Sequence, residues 1–241
     1  MRPPPVTDAI VDLRGDVPAT LPPGAMEARG LVLAESGLDG LPAWLGALTR
    51  LRMLDVAHNR LTALPDAIGA LRALEVLYVG DNRLTALPEA IRPLAVLTYL
   101  GADANDLPTL PAWIGELERL VELRLQDNRI DRLPPWLGRL GALRALHLRG
   151  NRLTALPGEL GGLTSLRHLD VRANALRTLP DELGALARLR VLDLRANRLT
   201  ELPAALADLH GLEKLDLRWN PLASKPRVAA ELEARGCFVL W

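Results

Sequence analysis

The chain has 241 residues, of which 29 are basic and 29 acidic, so it carries no formal net charge. Leucine supplies 55 residues against a single Phe, which makes the interior aliphatic, and one cysteine, Cys237, excludes an internal disulfide framework or a cysteine zinc cluster. Neutrality argues against broad binding to nucleic acid or to an anionic membrane surface, either of which needs a basic excess.

The chain opens with MRPPPVTDAIVDLRGD. No continuous apolar stretch follows the early Arg, so this does not read as a secretory signal. Nowhere does the sequence reach the roughly 18 uninterrupted apolar residues of a membrane span. A cytoplasmic, reducing location is the expectation. Only Lys214 and Lys225 are lysine, which with the Ala, Gly and Pro content points to a GC-rich bacterial genome. Residues 1–27 are Pro-rich, with one apolar cluster at Ile10, Val11 and Leu13, and are expected to form a leader and N-terminal cap.

From residue 28 to 222 the chain keeps a period of 23. Asparagines fall at 59, 82, 105, 128, 151, 174, 197 and 220, every gap being one period. Within residues 143–165 the apolar frame is Leu143, Leu146, Leu148, Leu153, Leu156, Leu160 and Leu163, and Pro157 follows Leu156. The frame recurs from 51, 74, 97, 120, 166 and 189. A degenerate first copy starts near Ala28, with Ser36 where Asn is expected, and a last half-copy starts at Leu212.

Each part of the frame has a physical reading. The L-x-L step, as in Leu146-His147-Leu148, alternates with period two and predicts a short strand with both leucines inward. Pro holds the preceding residue extended, so the chain returns on the far side in irregular or short helical form. Glycine at the nineteenth position (Gly69, Gly115, Gly138, Gly161, Gly184) suits a tight turn. A buried Asn must satisfy both ends of its amide, and a column of them can bond the backbone of successive coils. One period cannot bury its apolar face alone, so neighbours must stack and the ends must be capped.

Residues 223–241 are expected to be the C-terminal cap. Ser224 is a candidate helix N-cap and Gly236 a candidate stop. Val228 and Leu232 share one helix face, and CFVLW reads as a closing apolar strand.

The pattern L-x-x-L-x-L-x-x-N-x-L-x-x-L-P-x-x-[IL]-G-x-L resembles the leucine-rich repeat family, in its 23-residue intracellular, Ras-suppressor-like form. The resemblance implies an α/β solenoid: a right-handed horseshoe with a concave parallel sheet of about nine strands and an irregular or short helical convex side. It also implies a non-enzymatic scaffold that binds a protein partner.

Alternation places positions three, five, seven and eight of each repeat on the concave side. In the first half they are small or apolar. Met53, Val76 and Tyr99 hold position three in succession, and Tyr78 holds position five beside Gly80 and Gly101. Tyrosines are common interface anchors, and an exposed cluster of this kind marks a contact surface. In the second half Arg149, Arg172, Arg195 and Arg218 form a column at position seven, next to Asp170, Asp193 and Asp216 at position five. Over the outward positions, repeats six to nine carry seven basic and three acidic groups, and repeats one to four carry two basic and five acidic. Two readings follow: a ladder in which the Asp column neutralises the Arg column, or a docking site for an acidic segment. The candidate partner-binding set is Met53, Val76, Tyr78, Tyr99, Arg124, Arg149, Arg172, Arg195, Arg218 and Trp219. Trp44, Trp113 and Trp136 recur beside the Leu-Pro step, where they are expected to pack over proline.

His147 faces Asp170 across neighbouring strands, with His168 diagonal to both. Strand spacing and that offset argue against a shared metal ion. A His147–Asp170 hydrogen bond is the expectation, with mild pH sensitivity. Cys237 reads as a buried cap thiol. No phosphate loop, dinucleotide fingerprint or HExxH motif occurs, so no catalytic residue, cofactor or metal is assigned. The expected function is protein binding on the concave face by a monomer in intracellular signalling or regulation, without nucleic acid or membrane. The alternative is a target-recognition subunit of a bacterial effector or ubiquitin-ligase-type system, and a plain structural spacer is the third possibility.

Overall fold

Proline sets where each coil turns. At every full Leu-Pro step the Pro is extended (Pro65, φ −72° and ψ 154°), and a 3-10 helix follows at once, as in Asp66–Ala70, Pro135–Arg139 and Asp181–Ala185. The turn delivers the chain to a strand of three residues, and the cycle repeats. The computed structural model describes residues 9–241, so Pro3–Pro5 of the expected leader lie outside the described residues.

The strands are β1 (Ile10–Asp12), β2 (Gly30–Val32), β3 (Met53–Asp55), β4 (Val76–Tyr78), β5 (Tyr99–Gly101), β6 (Glu122–Arg124), β7 (Ala145–His147), β8 (His168–Asp170), β9 (Val191–Asp193), β10 (Lys214–Asp216) and β11 (Phe238–Leu240). They form one parallel sheet in sequence order. Its register is that of the period, with Leu54 beside Leu77 and Leu77 beside Leu100. Among the described residues the sheet therefore has eleven strands rather than about nine. The apolar cluster at Ile10–Leu13 adds β1 against β2, and the closing CFVLW segment adds β11 against β10. Between the sheet and the 3-10 helices runs one continuous aliphatic core, in which Leu54, Leu77, Leu100, Leu123, Leu146, Leu169 and Leu192 are fully buried.

The asparagines hold coil to coil. The side-chain amide of Asn105 donates to the carbonyls of Val79, Ala102 and Asp103 (3.0, 3.3 and 3.1 Å), and its Oδ1 accepts the Leu84 N–H at 2.8 Å. Val79 and Leu84 belong to the preceding coil. The same four-way arrangement recurs at Asn82, Asn128, Asn151 and Asn197. Ser36 does part of this work in the first copy. Its hydroxyl donates to Ala34 O and accepts from Gly15 N (3.0 and 2.9 Å).

The residue before each asparagine, and before Ser36 in the first copy, is left-handed: Glu35, His58, Asp81, Ala104, Asp127, Ala173, Ala196 and Trp219 have φ between 48° and 62°. Only Gly150 meets this demand without a Cβ. The position-nineteen glycines have a different role from the turn expected of them. None has positive φ. A Cβ on Gly69 would lie 2.8 Å from Ala90 O, and one on Gly161 would lie 2.5 Å from Glu182 O. Glycine is needed there because the next coil's 3-10 helix packs directly on its Cα.

The C-terminal cap is α1 (Arg227–Ala234), which buries Val228, Ala229 and Leu232. Pro226, not Ser224, is its N-cap, and no side chain caps it, because the extended Pro fixes the helix start beyond the serine. Gly236, with φ 93°, ends the helix as expected. No described helix is long and apolar enough to cross a membrane.

Replacing a central asparagine strands several buried polar groups at once, each costing roughly 1–3 kcal/mol. Asn128→Ala should therefore lose about 3 kcal/mol or more in chemical denaturation. Asn220→Ala, at a half-buried position in the last copy, should lose less, about 1 kcal/mol.

Candidate concave interface

The concave face is built from positions three and five of each strand, and its two halves differ. In the first half Tyr78 and Tyr99 pack as a tilted pair, ring centroids 4.8 Å apart and planes at 51°, and the Arg124 guanidinium lies 5.7 Å from the Tyr99 centroid. Gly101 leaves room for the pair, since a Cβ there would sit 3.1 Å from the Tyr99 ring. The cluster is less exposed than alternation implied. Val76 and Tyr99 are buried, at 2% and 6% exposure, and only Met53 and Tyr78 remain half-exposed. Side chains on parallel strands about 4.8 Å apart cover one another, so facing the groove is not the same as meeting solvent. Burial raises the pKa of both tyrosines, which stay protonated donors.

In the second half Asp170, Asp193 and Asp216 stand side by side in register. All three are buried, Asp216 completely. Arg195 forks onto Asp193 (2.9 and 2.6 Å) and reaches Asp216 at 3.3 Å, and Arg218 forks onto Asp216 (2.9 and 2.7 Å). Arg149 pairs with Asp127. Burial alone would raise the Asp193 pKa, but the Arg195 hydrogen bonds outweigh it and hold that carboxyl below its ordinary value. The arginine column is thus a neutralised ladder, whose guanidinium edges, not free charges, meet the groove.

Asp170 differs from its neighbours. Arg172 approaches it at 3.4 Å and Asp193 at 3.7 Å, yet the only hydrogen bond Asp170 receives is from the Arg172 backbone N–H, and Arg172 Nε is buried without a partner. Burial accordingly raises the Asp170 pKa. The expected His147–Asp170 hydrogen bond is not made. His147 instead packs its ring on His168, centroids 5.0 Å apart, and its Nε2 lies 3.6 Å from Glu122 Oε1. Burial pushes the His147 pKa down to about 3, with His168 and Arg124 adding to the effect, and burial lowers His168 as well. His58 behaves oppositely. It is exposed, 2.7 Å from Asp81, and that hydrogen bond raises its pKa.

The C-terminal end carries aromatics in water. Trp219 is 72% exposed, at φ 62°, with the Arg218 guanidinium 5.6 Å from its ring. Phe238, beside Lys214 on the edge strand, is 60% exposed, and Trp241 is 55% exposed. Sequence reading placed Phe238 and Trp241 in a closing strand and missed their exposure. An edge strand keeps alternate side chains out of the core, and that alternation was the available signal. The other tryptophans are packing residues. Trp113 is buried in the core, Trp136 packs against it, and Trp44 donates to Pro18 O at 3.0 Å.

A family model described as a leucine-rich repeat region matches residues 31–132 and 135–234. No curated relative matches the chain. Among solved structures, the chain is similar to a leucine-rich repeat protein of Leptospira interrogans, at 29% identity and TM-score 0.72, covering 90% of this chain and 62% of that one. It shares the fold of an internalin from Listeria monocytogenes (21% identity, TM-score 0.76, 89% and 67% covered). It is also similar to the plant peptide hormone receptor RGFR1, solved in complex with RGF2 (27% identity, TM-score 0.72, 88% and 36% covered). The chain therefore spans 62% of the Leptospira protein's length and 36% of the receptor's.

Two outcomes follow from this electrostatic layout. Arg195→Ala leaves buried carboxylates short of a partner and should cost about 2–3 kcal/mol in unfolding. Arg149→Ala, in an exposed pair, should cost under about 1 kcal/mol. In NMR titration His58 should show a midpoint above 6.5 that falls back in Asp81→Asn, while His147 stays neutral down to about pH 3. The signs oppose each other. The His58 contribution to stability is full below pH 6.5 and is lost as pH rises through its folded midpoint. Keeping His147 neutral costs stability as pH falls from 6.5 towards 3.

Proposed function

The chain belongs to the leucine-rich repeat family, and on that premise we propose that it is a non-enzymatic interaction module that holds a protein partner against its concave sheet. The observation that carries this is Trp219. It is a bulky side chain in the left-handed position of its repeat, 72% exposed at the groove's rim, with an arginine on its face. Folding does not require Trp there, because the other copies use Asp, Glu, His, Ala or Gly. A large aromatic kept in water in a strained backbone position suits a partner contact.

The contact surface we assign runs from Met53, Val76, Tyr78 and Tyr99 through Arg124 to Arg149, Arg172, Arg195, Arg218 and Trp219. Within it Tyr78 and Trp219 supply aromatic anchors. Tyr99 and Val76 shape the floor beneath Tyr78, and the arginines present guanidinium edges already oriented by the Asp ladder. Pre-oriented groups lose less freedom on binding. The similarity to RGFR1, a receptor solved with RGF2 bound, supports a binding role of this kind. The role we assign is cytoplasmic and regulatory, in a bacterial cell, with the protein acting as a monomer.

Affinity capture from host lysate, with Trp219→Ala and Tyr78→Ala baits beside the wild type, tests this reading. A partner held by the wild type should be lost or weakened about 30-fold by Trp219→Ala, with no change in the unfolding midpoint. Equal retention by both variants would exclude the concave face.

A further inference from the structure

We infer that His147, His168 and Asp170 form a zinc-class metal site on the concave face, apart from the aromatic anchors. The two imidazoles and the carboxylate lie on adjacent strands β7 and β8, and their ligand atoms are all within 4.8 Å of one another. Among the described residues no other group of His, Cys and carboxylate side chains comes together in this way. The strand offset does not separate them as the sequence implied. The His147 and His168 rings lean together across the sheet, centroids 5.0 Å apart, and one ligand atom of each lies within 4.8 Å of an Asp170 oxygen.

Three observations point the same way. Asp170 is the one rung of the Asp ladder without an arginine fork. Asp193 and Asp216 each accept two or more side-chain hydrogen bonds from arginine, and Asp170 accepts none. A buried carboxylate left in that state lacks the partner that its neighbours have. Next, the two imidazole rings come together across adjacent strands, with centroids 5.0 Å apart. Last, Glu122 Oε1, which accepts the Arg124 Nε at 2.6 Å, lies 3.6 Å from His147 Nε2, so a carboxylate stands just beyond hydrogen-bond reach of that ring.

Two imidazoles and one carboxylate suit zinc, or cobalt and nickel of similar softness, better than calcium or magnesium, which take oxygen donors. Zinc–ligand distances of about 2.0–2.2 Å bring ligand atoms to roughly 3.4 Å apart. The side chains need to close by up to about 1.4 Å to reach that spacing. Arg172 can turn from Asp170 onto Asp193, which it already approaches at 3.7 Å. Three protein ligands leave a fourth position open, as in zinc sites that accept an outside group. Here that position faces the groove.

Calorimetric titration of the untagged full chain with zinc chloride, and absorbance titration with cobalt chloride, test the site. One zinc per chain is expected, with micromolar or tighter affinity and a cobalt visible band of low-symmetry nitrogen and oxygen ligation. His168→Gln and Asp170→Asn should each weaken zinc at least about tenfold, and zinc should raise the unfolding midpoint of the wild type but not of these variants. His58→Ala and His210→Ala should bind as the wild type does. Absence of saturable binding below millimolar zinc would overturn the proposal. So would undiminished binding by a His147→Gln/His168→Gln variant whose metal-free circular dichroism matches the wild type.

Discussion

Everything in this molecule depends on one side-chain amide repeated at a fixed interval. Each core asparagine closes its own turn, by bonding the carbonyls two and three residues back, and ties that turn to the coil before it. This is what makes the left-handed residue before it tolerable. Outside glycine, that conformation costs on the order of 1–2 kcal/mol per residue, and the chain adopts it in eight non-glycine copies. The amide holds the strained turn in place, and the strained turn aims the strand. A parallel sheet of three-residue strands, too short to persist alone, follows from the stack.

That same regularity shapes the concave surface. Residues one period apart are forced into neighbouring seats, so any charge repeated at 23 residues becomes a column. The aspartates of the last three repeats sit side by side where like charges repel, and the arginines two residues on neutralise them. The ladder is a structural necessity created by the repeat, and its guanidinium edges are the part left for recognition. Where the sequence puts histidine at two of these seats, the ladder lacks a fork: Asp170 faces imidazoles on one side and on the other an arginine whose side chain makes no hydrogen bond to it.

The fold was legible because periodicity is read without knowing any distance. Leucine spacing, the Leu-Pro step and the asparagine column predicted the strand, the turn and the coil-to-coil tie, and the aliphatic core lies where that frame put it. Other features depended on proximity and were not legible. Gly69 and Gly161 reflect the approach of the next coil, which a single-chain pattern does not display. Ser224 looked like a cap until Pro226 fixed the helix start. Tyr99 faces the groove as alternation demands, yet its neighbours cover it. The closing strand was legible in CFVLW, whereas the strand at Ile10–Asp12 was read only as an apolar cluster of the cap, because it lies outside the period.

The stack also has a mechanical character. The asparagine bonds reach back 21 or 26 residues, so a coil is tied to the ones beside it and to nothing further away. A tensile load between the ends is therefore borne in series, like that on a row of stitches rather than a weave. Loss of the terminal coil leaves the next one facing solvent with its aliphatic side bare. Each coil that peels away releases about 80 Å of chain, so such a protein extends in equal steps and shortens in the same steps as it refolds.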